Sequence, residues 1–222
     1  HAPVVTTSVR AIDAATGAVV RTASVGVDGA FALTQLPAGS YYVVAGQAED
    51  GDGVLGFPGR RFGWYGDGQA AVIALDSATV ADAAITLGAP LEHPPNGDPA
   101  HAQEIFADGW IAGSHLASGS PDAYQVLIPA AGTYTFETSG VLGACGQALE
   151  LNTALSVVDA HGATVATNDN TSSSSGGMTF PGVFCSKIST ALQPGAYTVL
   201  VGASSVPAPN PGSYRLQVRT GP

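Results

Sequence analysis

Positive charge is scarce in this 222-residue chain. Lys187 is the sole lysine, and the 7 basic residues face 17 acidic ones. So few cations cannot build a basic face, which excludes nucleic acid as a partner. The net charge of −10 also argues against anionic membranes and anionic substrates, and favours a cation such as Ca²⁺. Charged residues of both signs reach only 11%, against about 25% in ordinary globular proteins. Yet 45% of the residues are hydrophobic, so the chain is no disordered acidic tail. Long apolar runs are missing too. The longest are pieces such as Ala70–Leu75 and Tyr197–Val201, far short of the ~18 residues of a membrane span.

Catalytic signatures are absent as well. There is no G-x-S-x-G elbow and no H-E-x-x-H. Ser114, His115 and Asp122 are close in sequence, but a triad is defined by geometry. A stand-alone enzyme is therefore the reading with least support. The residues His1-Ala2-Pro3 carry neither an initiator Met nor a signal peptide, so the chain reads as a processed piece of something longer.

Cysteine occurs twice, at Cys145 and Cys185. With no C-x-x-C pair and five scattered His, zinc can be set aside. An even count in a Ser/Thr/Gly-rich chain points to a disulfide and an oxidising compartment, against the alternative of two buried thiols. Loop entropy would assign such a bridge about 4 kcal/mol.

What is abundant is turn chemistry: 29 Gly and 15 Pro separate short β-branched runs. Strands are expected at Val4–Ile12, Ala18–Val25, Ala30–Leu33, Tyr41–Ala45, Ala70–Leu75 and Val80–Leu87. Asp28-Gly29 marks a hairpin turn. No helical period of ten residues occurs before Leu87. Gly88–Pro99 holds four Pro and two Gly without periodicity, which reads as a stiff linker or ordered crossover. Strands resume at Gln103–Ile111, Ala123–Ile128, Thr133–Thr138, Thr153–Val158, Thr164–Thr167, Ser186–Leu192, Ala196–Val201 and Ser213–Val218. The expected fold is all-β: two antiparallel β-sandwiches, a small one over residues 1–88 and a jelly-roll-like one over residues 100–222, joined by residues 89–99.

One grammar recurs four times. A Pro/Gly turn is followed by a strand-opening tyrosine at Tyr41, Tyr134, Tyr197 and Tyr214. Such a ring can be buried while its hydroxyl returns to a nearby backbone group, the logic of a tyrosine corner.

The stretch Ser8–Gly53, with its strand–TG turn–strand opening, DGAF hairpin and LPAGSYYVVAG strand, resembles the transthyretin-like or carboxypeptidase-regulatory-like sandwich. Asn96–Val218 is similar to the bacterial pre-peptidase C-terminal domain. The similarity lies in Pro95-Asn96-Gly97-Asp98, Asp122-Ala-Tyr124 with PAAGTYTFE, Leu151–Gly162 with Val165–Asn170, and the closing LQPGAYTVLVG and PGSYRLQV. Asn152 and Asn170 stand where that family usually has Asp. The pair of resemblances implies the C-terminal region of a secreted subtilisin-like protease, with a catalytic domain upstream.

Two cation sites are candidates, the first against the alternative of a solvated hairpin tip. Glu49, Asp50 and Asp52 put three carboxylates within four residues of a Gly-containing loop, able to offer Ca²⁺ several oxygens. Resemblance to the pre-peptidase family implies a second set: Glu92, Asn96, Asp98, Asp122 and Asp169. A ligand-binding surface is expected within Phe57–Tyr65, where four of nine residues are aromatic against 7% overall. Its candidates are Arg60, Arg61, Phe62, Trp64 and Tyr65, types suited to stacking on sugars or peptides; alternatively the rings complete a small core. The function expected is a non-catalytic accessory region of a secreted bacterial hydrolase, aiding folding, secretion or substrate engagement. The alternative is an adhesion module for collagen, a glycan or a cell-surface protein.

Overall fold

The computed structural model describes residues 6–48, 61–66, 70–76, 81–88, 92, 94, 96–115, 119–140, 152–169, 174–175, 178–179, 185–204 and 212–221. The fold is all-β, and no helix is long and apolar enough to cross a membrane among the described residues.

The first half contributes β1 (Thr6–Asp13), β2 (Val19–Ser24), β3 (Gly39–Ala48), β4 (Phe62–Trp64) and β5 (Val72–Leu75). They form one antiparallel sheet in the order β2-β1-β3-β4, with β5 also on β3. The β1–β2 turn is written in its residues. The Asp13 carboxylate accepts from the Ala15 and Thr16 N–H groups and from the Thr16 hydroxyl, and Gly17 takes φ +73°. Gly17 also abuts the second half, because a Cβ there would lie 2.6 Å from the Leu127 Cβ.

Strand periodicity places Val9, Val43 and Ala45 on one face and Ile12 and Val44 on the other. The first face is covered by Phe31, Leu33, Ile85 and Leu87. The segments carrying these residues were expected as strands, but Ala30–Leu33 and the described residues 81–87 join no ladder. Asp28 caps its own turn by accepting from the Ala30 N–H, and the 81–87 segment crosses the sheet. Its Thr86 carbonyl lies against Gly63, and it ends in a single bridge between Phe62 and Gly88.

The second half opens with a short 3-10 turn, Pro99–His101, whose N-cap is Asp98. Two sheets follow. The first runs β11-β10-β15-β8-β6, from β6 (Gln103–Ile105), β8 (Asp122–Ile128), β10 (Thr153–Asp159), β11 (Thr164–Asn168) and β15 (Gly195–Ala203). The second runs β14-β9-β16-β7, from β7 (Trp110–His115), β9 (Gly132–Gly140), β14 (Lys187–Leu192) and β16 (Gly212–Thr220). A small hairpin of β12 (Ser174–Ser175) and β13 (Met178–Thr179) stands apart. Gln103–Ile111, expected as one strand, is therefore two strands in different sheets. Asp108 at φ 59° makes the crossing, and its carboxylate accepts from the Thr220 N–H at 2.9 Å.

One apolar cluster runs through both halves, from Ile12, Val44, Phe62 and Trp64 to Ile105, Phe106, Trp110 and the sandwich interior. At the seam the Trp64 and Phe106 ring centroids are 6.2 Å apart, and those of Tyr42 and Phe106 5.3 Å. The Trp64–Phe106 pair is edge-on and the Tyr42–Phe106 pair tilted, and aromatic pairs add about 0.5–1.5 kcal/mol each beyond the area they bury.

Candidate functional site: a buried carboxyl–tyrosine ring

The tyrosine grammar leads to the site by exception. Tyr41 donates to the Pro37 carbonyl (2.8 Å) and Tyr134 to the Ala130 carbonyl (3.0 Å), each four residues upstream. Tyr197 keeps the same spacing and accepts from the Gln193 N–H (3.3 Å). Tyr214 instead crosses the sandwich. Its hydroxyl lies 2.7 Å from Asp122 Oδ2 and 2.6 Å from the Tyr124 hydroxyl.

Asp122 and Tyr124 sit two apart on β8 and so share a face. Tyr214 lies on β16 opposite Gly113 of β7. Gly113 is what admits the phenols: a Cβ there would stand 2.7 Å from the Tyr124 oxygen and closer still to that of Tyr214. Glu92 closes the cluster from the Pro-rich segment. Its Oε2 accepts from Tyr124 (3.1 Å), while its Oε1 accepts from the Ser114 N–H (2.5 Å) and hydroxyl (3.0 Å). Backbone bonds fasten the same segment: the Glu92 N–H donates to Ala112, and the Ala123 N–H to the Asn96 carbonyl.

Burial dominates the electrostatics. It pushes the Asp122 carboxyl up to about 6, and the neighbouring Glu92 carboxylate adds to the rise, while the Tyr214 hydrogen bond opposes it. Tyr124 and Tyr214 are both raised far above an ordinary phenol, chiefly by burial, so they remain protonated. Counting protons gives the same picture for Asp122. With both carboxyls ionised, each phenol donates to its own carboxylate, and the 2.6 Å contact between phenol oxygens holds no proton. One carboxyl proton on Asp122 supplies the missing donor.

The expected cation ligands separate in space. Glu92 and Asp122 come together. Asn96 is buried four residues beyond Glu92, and its side-chain N–H₂ group has no hydrogen-bond partner among the described residues. Asp98 is spent elsewhere, its carboxylate accepting from the Ala100 and His101 N–H groups and meeting the His101 ring at 3.0 Å. Asp169 does not join them. The row Asp122–Val201–Leu155–Asn168 crosses four strands, so Asp169, just beyond Asn168, is about three strand spacings (~14 Å) away. Its carbonyl accepts from the Ser186 hydroxyl. Glu49, Asp50, Asp52, Arg60 and Cys145 lie outside the described residues.

Ca²⁺ takes six to eight oxygens. Among the described residues no three His, Cys, Asp or Glu side chains gather. The Glu92–Asp122 pair, already engaged by two phenols and Ser114, is not a complete Ca²⁺ cage.

The aromatic candidates are placed as core. Phe62 is 2% exposed and Trp64 6%, both in the seam between the halves, and their ring centroids are 5.9 Å apart. Rings so buried present no stacking face to a sugar or peptide. Tyr65 is half-buried against the other face of the first sheet, and Arg61 is exposed. Cys185 is buried, and among the described residues no cysteine is free. Sequence reasoning named Glu92 and Asp122 but missed Tyr124, Tyr214 and Ser114. The signal within reach was the Asp-x-Tyr spacing at 122–124.

No family model matches the chain, and no curated protein matches it. Among solved structures, the chain is similar to the pre-peptidase C-terminal domain of a collagenase from Bacillus anthracis. The identity is 15%, with 52% of this chain and 91% of that one covered, at a TM-score of 0.37.

Proposed function

We propose that the chain is a non-catalytic accessory region of a secreted bacterial hydrolase, of the serine-protease kind, that aids folding, secretion or substrate engagement. The observation that carries this reading is the use made of Glu92. One carboxylate from the Pro-rich segment accepts from Ser114 twice and from Tyr124 once, fastening that segment to the second half. Ser114, whose hydroxyl donates to a carboxylate, is thereby committed to the same fastening. The acidic groups of the site hold shape, as an accessory region requires. A Cys145–Cys185 disulfide belongs to the same proposal and suits secretion. So does Ca²⁺ binding at Glu49, Asp50 and Asp52, where three carboxylates fall within four residues.

The coding sequence upstream of His1 tests the reading. A subtilisin-like catalytic domain there supports it, and a surface-anchor architecture supports an adhesion module instead. Hydrolysis of casein or an ester by the purified chain would overturn both. For the ion, melting in Ca²⁺ and in EDTA should differ, since an ion at 100–1,000 times its Kd adds about 3–4 kcal/mol. Superimposable curves would remove Ca²⁺ from the account.

A further inference from the structure

A cleft of about 250 Å³ opens where the two halves meet, and none of its lining residues belongs to the Asp122 ring. Ile12, Val19 and Tyr42 form one wall, and Glu104, Phe106 and Tyr134 line the other. Its volume is below the ~300–1,000 Å³ of pockets for drug-sized ligands, and suits one side chain. All the charged residues lining it, Glu104 and Asp108, are acidic. Asp108 is committed to Thr220. Glu104 is half-buried, and among the described residues the one hydrogen bond to its carboxylate comes from the Tyr42 hydroxyl at 3.5 Å, the outer limit of such a bond. A carboxylate so placed, beside the Tyr42 ring and with its second oxygen engaged by no described residue, favours a cation that is also planar and apolar along its stem.

We propose that this cleft binds the arginine side chain of a peptide or protein partner. The guanidinium forks onto Glu104 and stacks on the Tyr42 ring, and the methylene stem lies along Ile12 and Val19. Arginine is preferred to lysine because its flat, weakly hydrated head matches a carboxylate next to a ring. The site is independent of the accessory-region reading, which needs no ligand here.

The test is a titration of the full chain, followed by amide NMR, with acetyl-Gly-Arg-Gly-amide and the same peptide carrying neutral citrulline. The arginine peptide should bind saturably, with Gly17, Glu104 and Phe106 shifting most, and the citrulline peptide at least tenfold more weakly. Glu104→Gln, a half-exposed isosteric change, should abolish that discrimination, and added salt should weaken the wild-type interaction. Equal affinity for the two peptides, shifts centred elsewhere, or no saturable shifts at millimolar peptide would overturn the proposal. The wild-type comparison decides the matter even if Glu104→Gln does not fold.

Discussion

Replacing Asp122 by Asn tests the proton count in the buried ring. Asn can donate an N–H to the Tyr214 oxygen, which frees that phenol to donate to Tyr124 while Tyr124 donates to Glu92, so it is a permanent stand-in for protonated Asp122. The folded protein holds the Asp122 carboxyl at about 6, raised from 3.8 by burial and by Glu92. A group raised on folding contributes stability that is fully present below its unfolded value and is lost as the pH rises through its folded one. The window is therefore pH 3.8 to about 6. A rise of that size corresponds to about 3 kcal/mol at most. Residual solvent screening around Asp122 reduces this to about 1–2 kcal/mol. The assay is urea unfolding in EDTA from pH 4 to 8, followed by tryptophan fluorescence. Asp122→Asn should match the wild type near pH 4 and exceed it by about 1–2 kcal/mol at pH 7. Asp13, Asp98 and Asp159, all lowered by hydrogen bonds, act in the opposite sense as the pH falls, but they cancel between the two proteins. A variant that is less stable at pH 7, or a difference that does not change with pH, would refute the reasoning.

Gly113→Ala should cost about 1–3 kcal/mol, because the added methyl strikes both phenol oxygens; chemical denaturation checks it. Trp64→Ala should cost about 3–5 kcal/mol by opening a cavity in the seam, read the same way. Reducing the proposed Cys145–Cys185 bridge should lower stability by about 2–4 kcal/mol, and thiol titration of the unfolded, unreduced protein should find no free thiol. Two free thiols would remove the bridge from the account.

What could be read from the residues was what is decided locally. Tyr41, Tyr134 and Tyr197 each find a partner four residues away, so turn and corner are visible together in the sequence. Tyr214 carries the same signal, but its partner Asp122 is 92 residues distant, and nothing local announces it. Reading Gln103–Ile111 as one strand hid a change of sheet, because the crossing depends on Asp108 meeting Thr220 at the far end of the fold. The described residues 81–87 have extended chemistry but no strand to pair with, and pack as a covering segment instead. Phe62 and Trp64 stood out by composition, yet composition cannot tell a recognition surface from a seam. Glu92 and Asp122 were named for a cation. Their carboxyls face two phenols, and that pairing is settled by the packing of β7, β8 and β16.

The central claim is that the aromatic seam makes the two halves one cooperative unit, with Glu92 fastening the segment between them to the second half. Two single-tryptophan variants test it most directly. Trp64→Phe leaves Trp110 as reporter of the second half, and Trp110→Phe leaves Trp64 as reporter of the first. Each variant's unfolding in urea is then followed by its own fluorescence and by circular dichroism, which senses the whole chain. Within each variant, coincident midpoints from the two signals are the predicted result. A tryptophan transition clearly displaced from that of the whole chain would contradict the claim.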